Sequence, residues 1–193
     1  MSEENYYNKL DFYRLSDLIK ELGDEKAQKI LNTFKCNKNE DLQDFLHNPN
    51  KSIKLEKQHI TRTYLYLETK DTIITTVAYF TISLKVLSTE GLSKTLVKKL
   101  DGIDKHRDSI PCYLIAQLGK HSDLKEKIGK YLLDDAIETI KDVNTMVGGR
   151  FIILDAVNEQ KVVNFYQAEP NSFISLKSIN TDVENLKMYY PLL

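Results

Sequence analysis

A cluster of four lysines stands between a run of apolar residues and a long segment with helical periodicity. The four are Lys120, Lys125, Lys127 and Lys130. We expect the helix to begin near Lys125, where its first N–H groups lack partners within the helix and carry the positive end of its dipole. Such a helix start binds phosphate, and nearby lysines add positive charge. The alternative is a solvated helix face, partly neutralised by four carboxylates, those of Asp123, Glu126, Asp134 and Asp135.

A second candidate for chemistry is Tyr166. It ends the segment Val162-Val-Asn-Phe-Tyr166, whose apolar residues have helical spacing. A phenol has a reference pKa of about 10, so it carries its proton at neutral pH and can donate it. Tyr166 is therefore a candidate general acid. The alternative is a tyrosine at the edge of the core, which is the commoner situation on an amphipathic helix.

Composition and charge exclude several classes of protein. The 27 basic and 28 acidic residues nearly cancel, so any site for a polyanion must be local. Residues 1–8 are polar and no apolar run approaches the roughly 20 residues that span a membrane, so we expect a cytoplasmic protein. Cys36 and Cys112 lie far apart, and the four histidines lack ligand spacing. We therefore expect neither a disulfide framework nor a metal site.

The first half of the chain predicts helices followed by a β-hairpin. The predicted segments are a strand at 9–15, helices at 17–34 and after residue 39, and hairpin strands at 61–67 and 72–87. Gly23 should break the first helix in two, because glycine is unfavourable inside helices. Asn39 has the side chain of a helix N-cap.

The second half of the chain predicts a strand–helix–strand crossover. The predicted segments are a loop with one helical turn at 88–109, strands at 110–118 and 151–157, helices at 124–143 and 159–168, and closing strands at 173–176 and 186–190. An antiparallel first half and a crossover in the second imply a mixed sheet. We predict one α/β domain over residues 1–193, with six to seven strands and helices on both faces.

Several strings resemble the GNAT acyl-CoA N-acyltransferase superfamily. Ile110-Pro-Cys-Tyr-Leu-Ile-Ala-Gln-Leu-Gly119 is similar to the fourth strand of that family, and Leu124-Lys-Glu-Lys-Ile-Gly129 stands at its pyrophosphate loop. Val147-Gly-Gly-Arg-Phe-Ile-Ile-Leu-Asp-Ala156 is similar to the entry into the fifth strand, and Val162 to Tyr166 to the helix whose tyrosine lies beside the cofactor sulfur. The loop departs from the family pattern, since Leu124 and Lys127 replace two signature positions and Gly129 remains.

The resemblance implies an acetyl-CoA site. The fourth strand of the family splays from its neighbour, and the freed N–H groups near 116–118 would bind the pantetheine amide and the developing oxyanion. Asn158 could cap the next helix or contact the cofactor, and Tyr166 would protonate the thiolate. The residues implied to bind acetyl-CoA are Ala116, Gln117, Leu118, Lys125, Glu126, Lys127, Ile128, Gly129, Lys130 and Asn158. The general base is left open among Glu68, His59 and His106.

Three hypotheses for function follow from this resemblance. The first is an acetyl-CoA-dependent N-acetyltransferase that acts directly on a primary amine. The second comes from Phe34-Lys-Cys36 and Asp41-Leu-Gln-Asp-Phe-Leu46, which resemble the branch containing toxins that acetylate aminoacyl-tRNA. It implies a tRNA substrate, with the basic stretch 94–107 contacting phosphates, and an antitoxin partner. The third is a binding module that keeps the fold but has lost efficient catalysis or even affinity for CoA. A homodimer is expected for the fold.

Overall fold

A computed structural model describes residues 2–176 and 184–192. Within them, the helices are α1 (Glu3–Tyr7), α2 (Leu15–Leu22), α3 (Asp24–Leu31), α4 (Glu40–His47), α5 (Ser52–Lys57), α6 (Lys94–Asp101), α7 (Gly129–Val147) and α8 (Gln160–Gln167). The strands are β1 (Asp11–Arg14), β2 (Thr61–Lys70), β3 (Ile73–Ser88), β4 (Ser109–Lys120), β5 (Phe151–Val157), β6 (Ile174–Ser175) and β7 (Asn185–Pro191).

The seven strands form one mixed sheet in the order β1-β2-β3-β4-β5-β7-β6. The β4–β5 pair is parallel, and the β1–β2, β2–β3, β5–β7 and β6–β7 pairs are antiparallel. The described residues of Met1–Ser83 and Gln117–Ala136 form one compact unit, the N-terminal unit. Those of Leu84–Ala116 and Ile137–Leu193 form a second, the C-terminal unit. A single domain over 1–193 stays a prediction.

Four helices cover one face of the hairpin in the N-terminal unit. Because side chains alternate along a strand, Leu65 and Leu67 share this face, which also carries Tyr79. Residues of α2 to α5 and of the segment after α3 pack against them, including the fully buried Leu31, Phe34 and Leu46. Phe34 contacts Tyr79 edge to face, with ring centroids 5.1 Å apart. This layer is the main core of the N-terminal unit.

Aromatic residues dominate the opposite face of the hairpin. Tyr64 stacks on Phe80 with ring centroids 4.8 Å apart, and Tyr66 lies beside them. The Tyr66 hydroxyl donates a hydrogen bond to Oδ2 of Asp135 on α7, and the Tyr7 hydroxyl of α1 donates to the same oxygen over 2.6 Å. The Asp135 carboxylate thus accepts hydrogen bonds from two phenols. Both faces of the hairpin carry helices, as predicted.

The core of the C-terminal unit lies between α6 and the central strands. Val97 and Leu100 of α6 are buried against Ile110 and Phe151. The Ser93 side chain caps α6 by accepting the Leu96 N–H over 3.2 Å. The prediction of a loop with one helical turn at 88–109 was therefore wrong about this segment. The two buried apolar residues of α6 stand among many charged residues, so the sequence of this segment shows no clear helical period.

Most other predicted elements of the first half are confirmed. Gly23 separates α2 from α3, with a φ of 79° that favours glycine. Asn39 caps α4, accepting the N–H groups of Asp41 and Leu42 through its side-chain oxygen. Helices α1 and α5 were not predicted, because their five and six residues are too short to show a clear helical period.

Candidate active site

Tyr166 lies on α8 among aromatic rings of the C-terminal unit. Its ring is 5.0 Å from that of Phe165 and 5.7 Å from that of Phe173, in edge-to-face contacts. The Tyr166 carbonyl accepts the Phe173 N–H over 2.9 Å, which ties the end of α8 to the following chain. Burial raises the pKa of Tyr166 to about 12. The phenol is therefore held in its protonated form, as a general acid requires.

The Tyr166 hydroxyl has no hydrogen-bond partner among residues 2–176 and 184–192, whereas several other tyrosine hydroxyls do. At the start of the same helix the N-cap residue is Glu159, whose side chain makes no capping bond. Asn158 precedes it and donates its backbone N–H to the Glu184 carbonyl over 2.9 Å. The cap position predicted for Asn158 was therefore wrong by one residue.

Strand β4 leaves its parallel neighbour early. Among the described residues, the β4–β5 pairing comprises Tyr113↔Ile152 and Leu114↔Ile153. Both strands continue past these pairs, β4 to Lys120 and β5 to Val157. This geometry agrees with the splayed fourth strand implied by the resemblance. Ala116 follows in the C-terminal unit, and Gln117 and Leu118 belong to the N-terminal unit. All three are partly buried.

Helix α7 begins at Gly129, so the predicted start near Lys125 was wrong by four residues. The ammonium of Lys120 donates to the carbonyls of Leu124 over 2.5 Å and Glu126 over 2.9 Å. In the described chain neither carbonyl accepts a helical backbone N–H, so the helix does not extend back through these residues. A loop of residues 121–128, which we call the phosphate loop, thus precedes the helix. Lys120 acts within it instead of facing outward as an added phosphate ligand.

The phosphate loop is fixed at its first half by buried contacts. His121 is buried and donates its backbone N–H to the Val77 carbonyl over 2.7 Å. Its ring nitrogen Nδ1 accepts the Asp123 N–H over 3.1 Å. Ser122 donates its N–H to the Lys35 carbonyl over 2.8 Å. No supporting role was predicted for His121, although its position directly after a buried strand was the available clue.

The second half of the loop exposes free donors. Within the part of the chain that the structure describes, the backbone N–H groups of 125–128 have no protein hydrogen-bond partner. The side chains of Lys125 and Lys127 are exposed, and that of Ile128 is fully buried and anchors the loop. Four free N–H groups before a helix N-terminus suit a diphosphate. The loop thus fits the phosphate group of acetyl-CoA.

The remaining residues predicted to bind the cofactor at the start of α7 have different contacts in the structure. Gly129 is the first residue of the helix. Lys130 is exposed and forms an ion pair with Asp134 over 3.1 Å, so its charge is partly neutralised, as the alternative interpretation of the lysine cluster expected. Glu126 contributes its carbonyl to Lys120.

The candidate residues are divided between the two units. The N-terminal unit holds Gln117, Leu118, Lys125, Glu126, Lys127, Ile128, Gly129 and Lys130. The C-terminal unit holds Ala116, Asn158 and Tyr166. Of the open candidates for a general base, Glu68 forms an ion pair with Lys70 over 2.9 Å, and His59 contacts Arg62 through Nδ1. His106 is exposed in the C-terminal unit.

A basic groove of about 660 Å³, called here the α6 groove, lies in the C-terminal unit. Its cations are Lys94, Lys98, Lys99, Lys105 and Arg150, and no carboxylate lines it. None of the four lysines forms an ion pair with a described residue. Arg150 donates to the Leu100 carbonyl over 3.0 Å, which fixes its guanidinium at the end of α6.

Arg150 was not predicted as a member of the α6 groove. A side chain at position 102 would come within 2.5 Å of the Arg150 guanidinium, and Gly102 has a φ of 86°. A glycine at the end of a basic helical segment was the one clue, because it marks a helix C-cap against which another group can pack.

Comparison with solved structures identifies the fold as that of the GNAT-type toxin acetyltransferases. AtaT in complex with acetyl-methionyl-tRNAfMet matches with a TM-score of 0.68 and 21% identity, covering 95% of each chain. AtaTR bound with acetyl-CoA matches with a TM-score of 0.66 and 20% identity over 95% of this chain and 94% of the other. A tyrosine-to-phenylalanine variant of KacT matches with a TM-score of 0.67 and 19% identity over 94% of each. The predicted fold is confirmed.

Two comparisons at the level of sequence gave no match. No protein-family model matches it, and no curated protein matches it significantly. Among the described residues, no helix has the length and apolar character needed to cross a membrane. The same residues contain no group of three or more side chains that could hold a metal ion.

Proposed function

We propose that this protein is an acetyl-CoA-dependent N-acetyltransferase of the cytoplasm that transfers the acetyl group directly to a primary amine. The observation that carries the proposal is the phosphate loop, with four free N–H groups before the long helix of a GNAT fold. AtaTR, which shares that fold, has been solved with acetyl-CoA bound. The free donors argue against one form of the third hypothesis, a binding module that has lost its affinity for CoA.

Each step of the transfer has a candidate group in this chain. Backbone N–H groups at 125–128 and the lysines around them would hold the diphosphate, and those of Ala116, Gln117 and Leu118 the pantetheine amide and carbonyl oxygen. The amine nitrogen bonds to the carbonyl carbon, and the carbon–sulfur bond breaks. Tyr166 would give its proton to the sulfur, and the amine proton would pass to solvent. Asn158 is proposed as a further cofactor contact.

Calorimetric titration with acetyl-CoA tests the proposal. We expect micromolar binding, together with thiol release in the presence of a mixed panel of amines. Binding that is undetectable at millimolar acetyl-CoA would overturn the enzyme hypothesis and favour a GNAT-shaped binding module. Sedimentation of the same sample tests the homodimer that we propose for the fold.

The α6 groove favours aminoacyl-tRNA as the acceptor. Five cations in a groove that no carboxylate lines attract the phosphodiester backbone, although the chain as a whole has a net charge of −1. A structural neighbour, AtaT, forms a complex with acetyl-methionyl-tRNAfMet. We therefore propose a toxin-like acetyltransferase acting on the amino group of aminoacyl-tRNA. An antitoxin partner belongs to the same proposal, since AtaT is also found with the C-terminus of the antitoxin AtaR.

Charge reversal in the α6 groove should weaken tRNA binding. For a variant combining Lys94→Glu, Lys98→Glu and Lys105→Glu, we expect the slope of log Kd against log salt to fall by about 3, because each lysine lost removes about one phosphate contact. Fluorescence anisotropy with labelled tRNA over a range of salt concentrations measures this slope.

The matched control reverses three exposed lysines of α2 and α3, with Lys20→Glu, Lys26→Glu and Lys29→Glu. It changes the net charge equally and should leave a clearly larger slope than the groove variant. Equal slopes in the two variants would show that tRNA does not contact the α6 groove. Calorimetry should give both variants the acetyl-CoA affinity of the unmodified protein.

A further inference from the structure

Lys120 is the last residue of β4, and its side chain turns back under the loop that follows. Its Nζ lies 2.5 Å from the carbonyl oxygen of Leu124 and 2.9 Å from that of Glu126. Both carbonyls therefore point at the same ammonium group. The contact is charge-assisted, which makes it stronger than a hydrogen bond between neutral groups.

The orientation of these carbonyls fixes the orientation of the next N–H groups. In a trans peptide, the C=O of one residue and the N–H of the next point in opposite directions. Because the Leu124 and Glu126 carbonyls face the Lys120 ammonium, the N–H groups of Lys125 and Lys127 face away from it. Both N–H groups are among those without a protein partner in the described chain. Lys120 thus sets two donors on the outer side of the loop.

The other contacts of the loop leave this task to Lys120. Residues 121–123 are held by Val77, Lys35 and the His121 ring. After them, the buried Ile128 side chain anchors the far end. Between those two anchors, the hydrogen bonds from Lys120 are the ones that turn the peptide planes after Leu124 and Glu126.

We infer that Lys120 is a positioning residue for diphosphate binding, which acts by aiming the N–H groups of Lys125 and Lys127 at the ligand. The inference rests on the proposed function, because it takes the phosphate loop to bind the diphosphate of acetyl-CoA. Lys120 does not contact the ligand in this role. Its ammonium acts through the Leu124 and Glu126 carbonyls, to which it donates hydrogen bonds.

The test compares Lys120→Met, which keeps the length and apolar stem of the side chain, with Lys120→Arg, which keeps a cationic donor. Calorimetry is carried out with acetyl-CoA and with 3′-phospho-ADP, which carries the diphosphate without the pantetheine arm. We expect Lys120→Met to bind both ligands about tenfold more weakly, the effect of about one lost hydrogen bond to a charged group. Lys120→Arg should recover most of the affinity.

The control is Lys20→Met, which removes an exposed lysine of α2 and should bind as the unmodified protein does. An unchanged affinity for both ligands in Lys120→Met would overturn the role of Lys120, and so would a loss for acetyl-CoA that 3′-phospho-ADP does not share. If the unmodified protein binds neither ligand, the proposed function itself fails. If Lys120→Met unfolds, the inference is tested by Lys120→Arg, and a folded Arg variant with a tenfold loss in both affinities would contradict it.

Discussion

Replacing Tyr166 by phenylalanine is expected to lower kcat about a hundredfold and to leave the affinity for acetyl-CoA unchanged. The phenol would donate its proton to sulfur only as the carbon–sulfur bond breaks, and general acid catalysis contributes at least this factor. The aromatic contacts with Phe165 and Phe173 are retained in the variant, so its helix should keep its place. Thiol release measures kcat, and calorimetry measures the affinity.

The pH dependence of kcat is a second test of the role of Tyr166 as a general acid. Its pKa is raised to about 12, so the phenol stays protonated in the folded protein well above the usual value of about 10. The ratio of unmodified to variant kcat should therefore stay constant between about pH 7 and pH 10. A ratio that falls with a midpoint near 10 would contradict this environment. Tyr13→Phe is the control, because Tyr13 lies in β1 of the N-terminal unit, and it should leave kcat unchanged.

The substitution Phe34→Ala is expected to destabilise the protein by about 4 kcal/mol, which is typical of a large cavity in a packed core. Phe34 is fully buried and makes edge-to-face contacts with Tyr79 and with the His121 ring, at centroid distances of 5.1 and 6.1 Å. The free energy of unfolding in urea measures the loss. Since His121 supports the phosphate loop, we also expect weaker binding of acetyl-CoA.

Ile73→Ala is the matched control in the same unit, because Ile73 is 65% exposed. A surface substitution of this kind changes stability by less than about 0.5 kcal/mol. If Phe34→Ala cost no more than this control, the residue could not be the centre of the core between the helices and the hairpin.

The sequence was sufficient to predict those elements that are determined by interactions between residues close together in the chain. We could predict the cap at Asn39, the helix break at Gly23 and the hairpin at 61–87. Each of these features is determined by residues that are adjacent in the sequence. The tyrosine helix was located for the same reason. The parallel crossover also followed, from two apolar strands on either side of a long helix.

Long-range contacts decided what the sequence could not predict. Helix α7 begins only after the carbonyls that accept hydrogen bonds from Lys120, although the helical periodicity of the sequence continues through these residues. Helix α6 buries Val97 and Leu100, which stand among charged residues in the sequence. Arg150 joins the α6 groove from a position 48 residues beyond Gly102, as their contact shows.

The shared carboxylate of Asp135 has a consequence for the protein in alkaline solution. Burial and hydrogen bonding to Asp135 raise the pKa of Tyr7 and of Tyr66 far above the usual value. A phenol whose pKa is higher in the folded state stabilises that state fully below about pH 10 and progressively less above it. With eleven tyrosines and no tryptophan, the chain reports phenol ionisation directly in its ultraviolet absorbance. Part of that spectroscopic titration should appear as one steep step, when alkaline unfolding releases both phenols together.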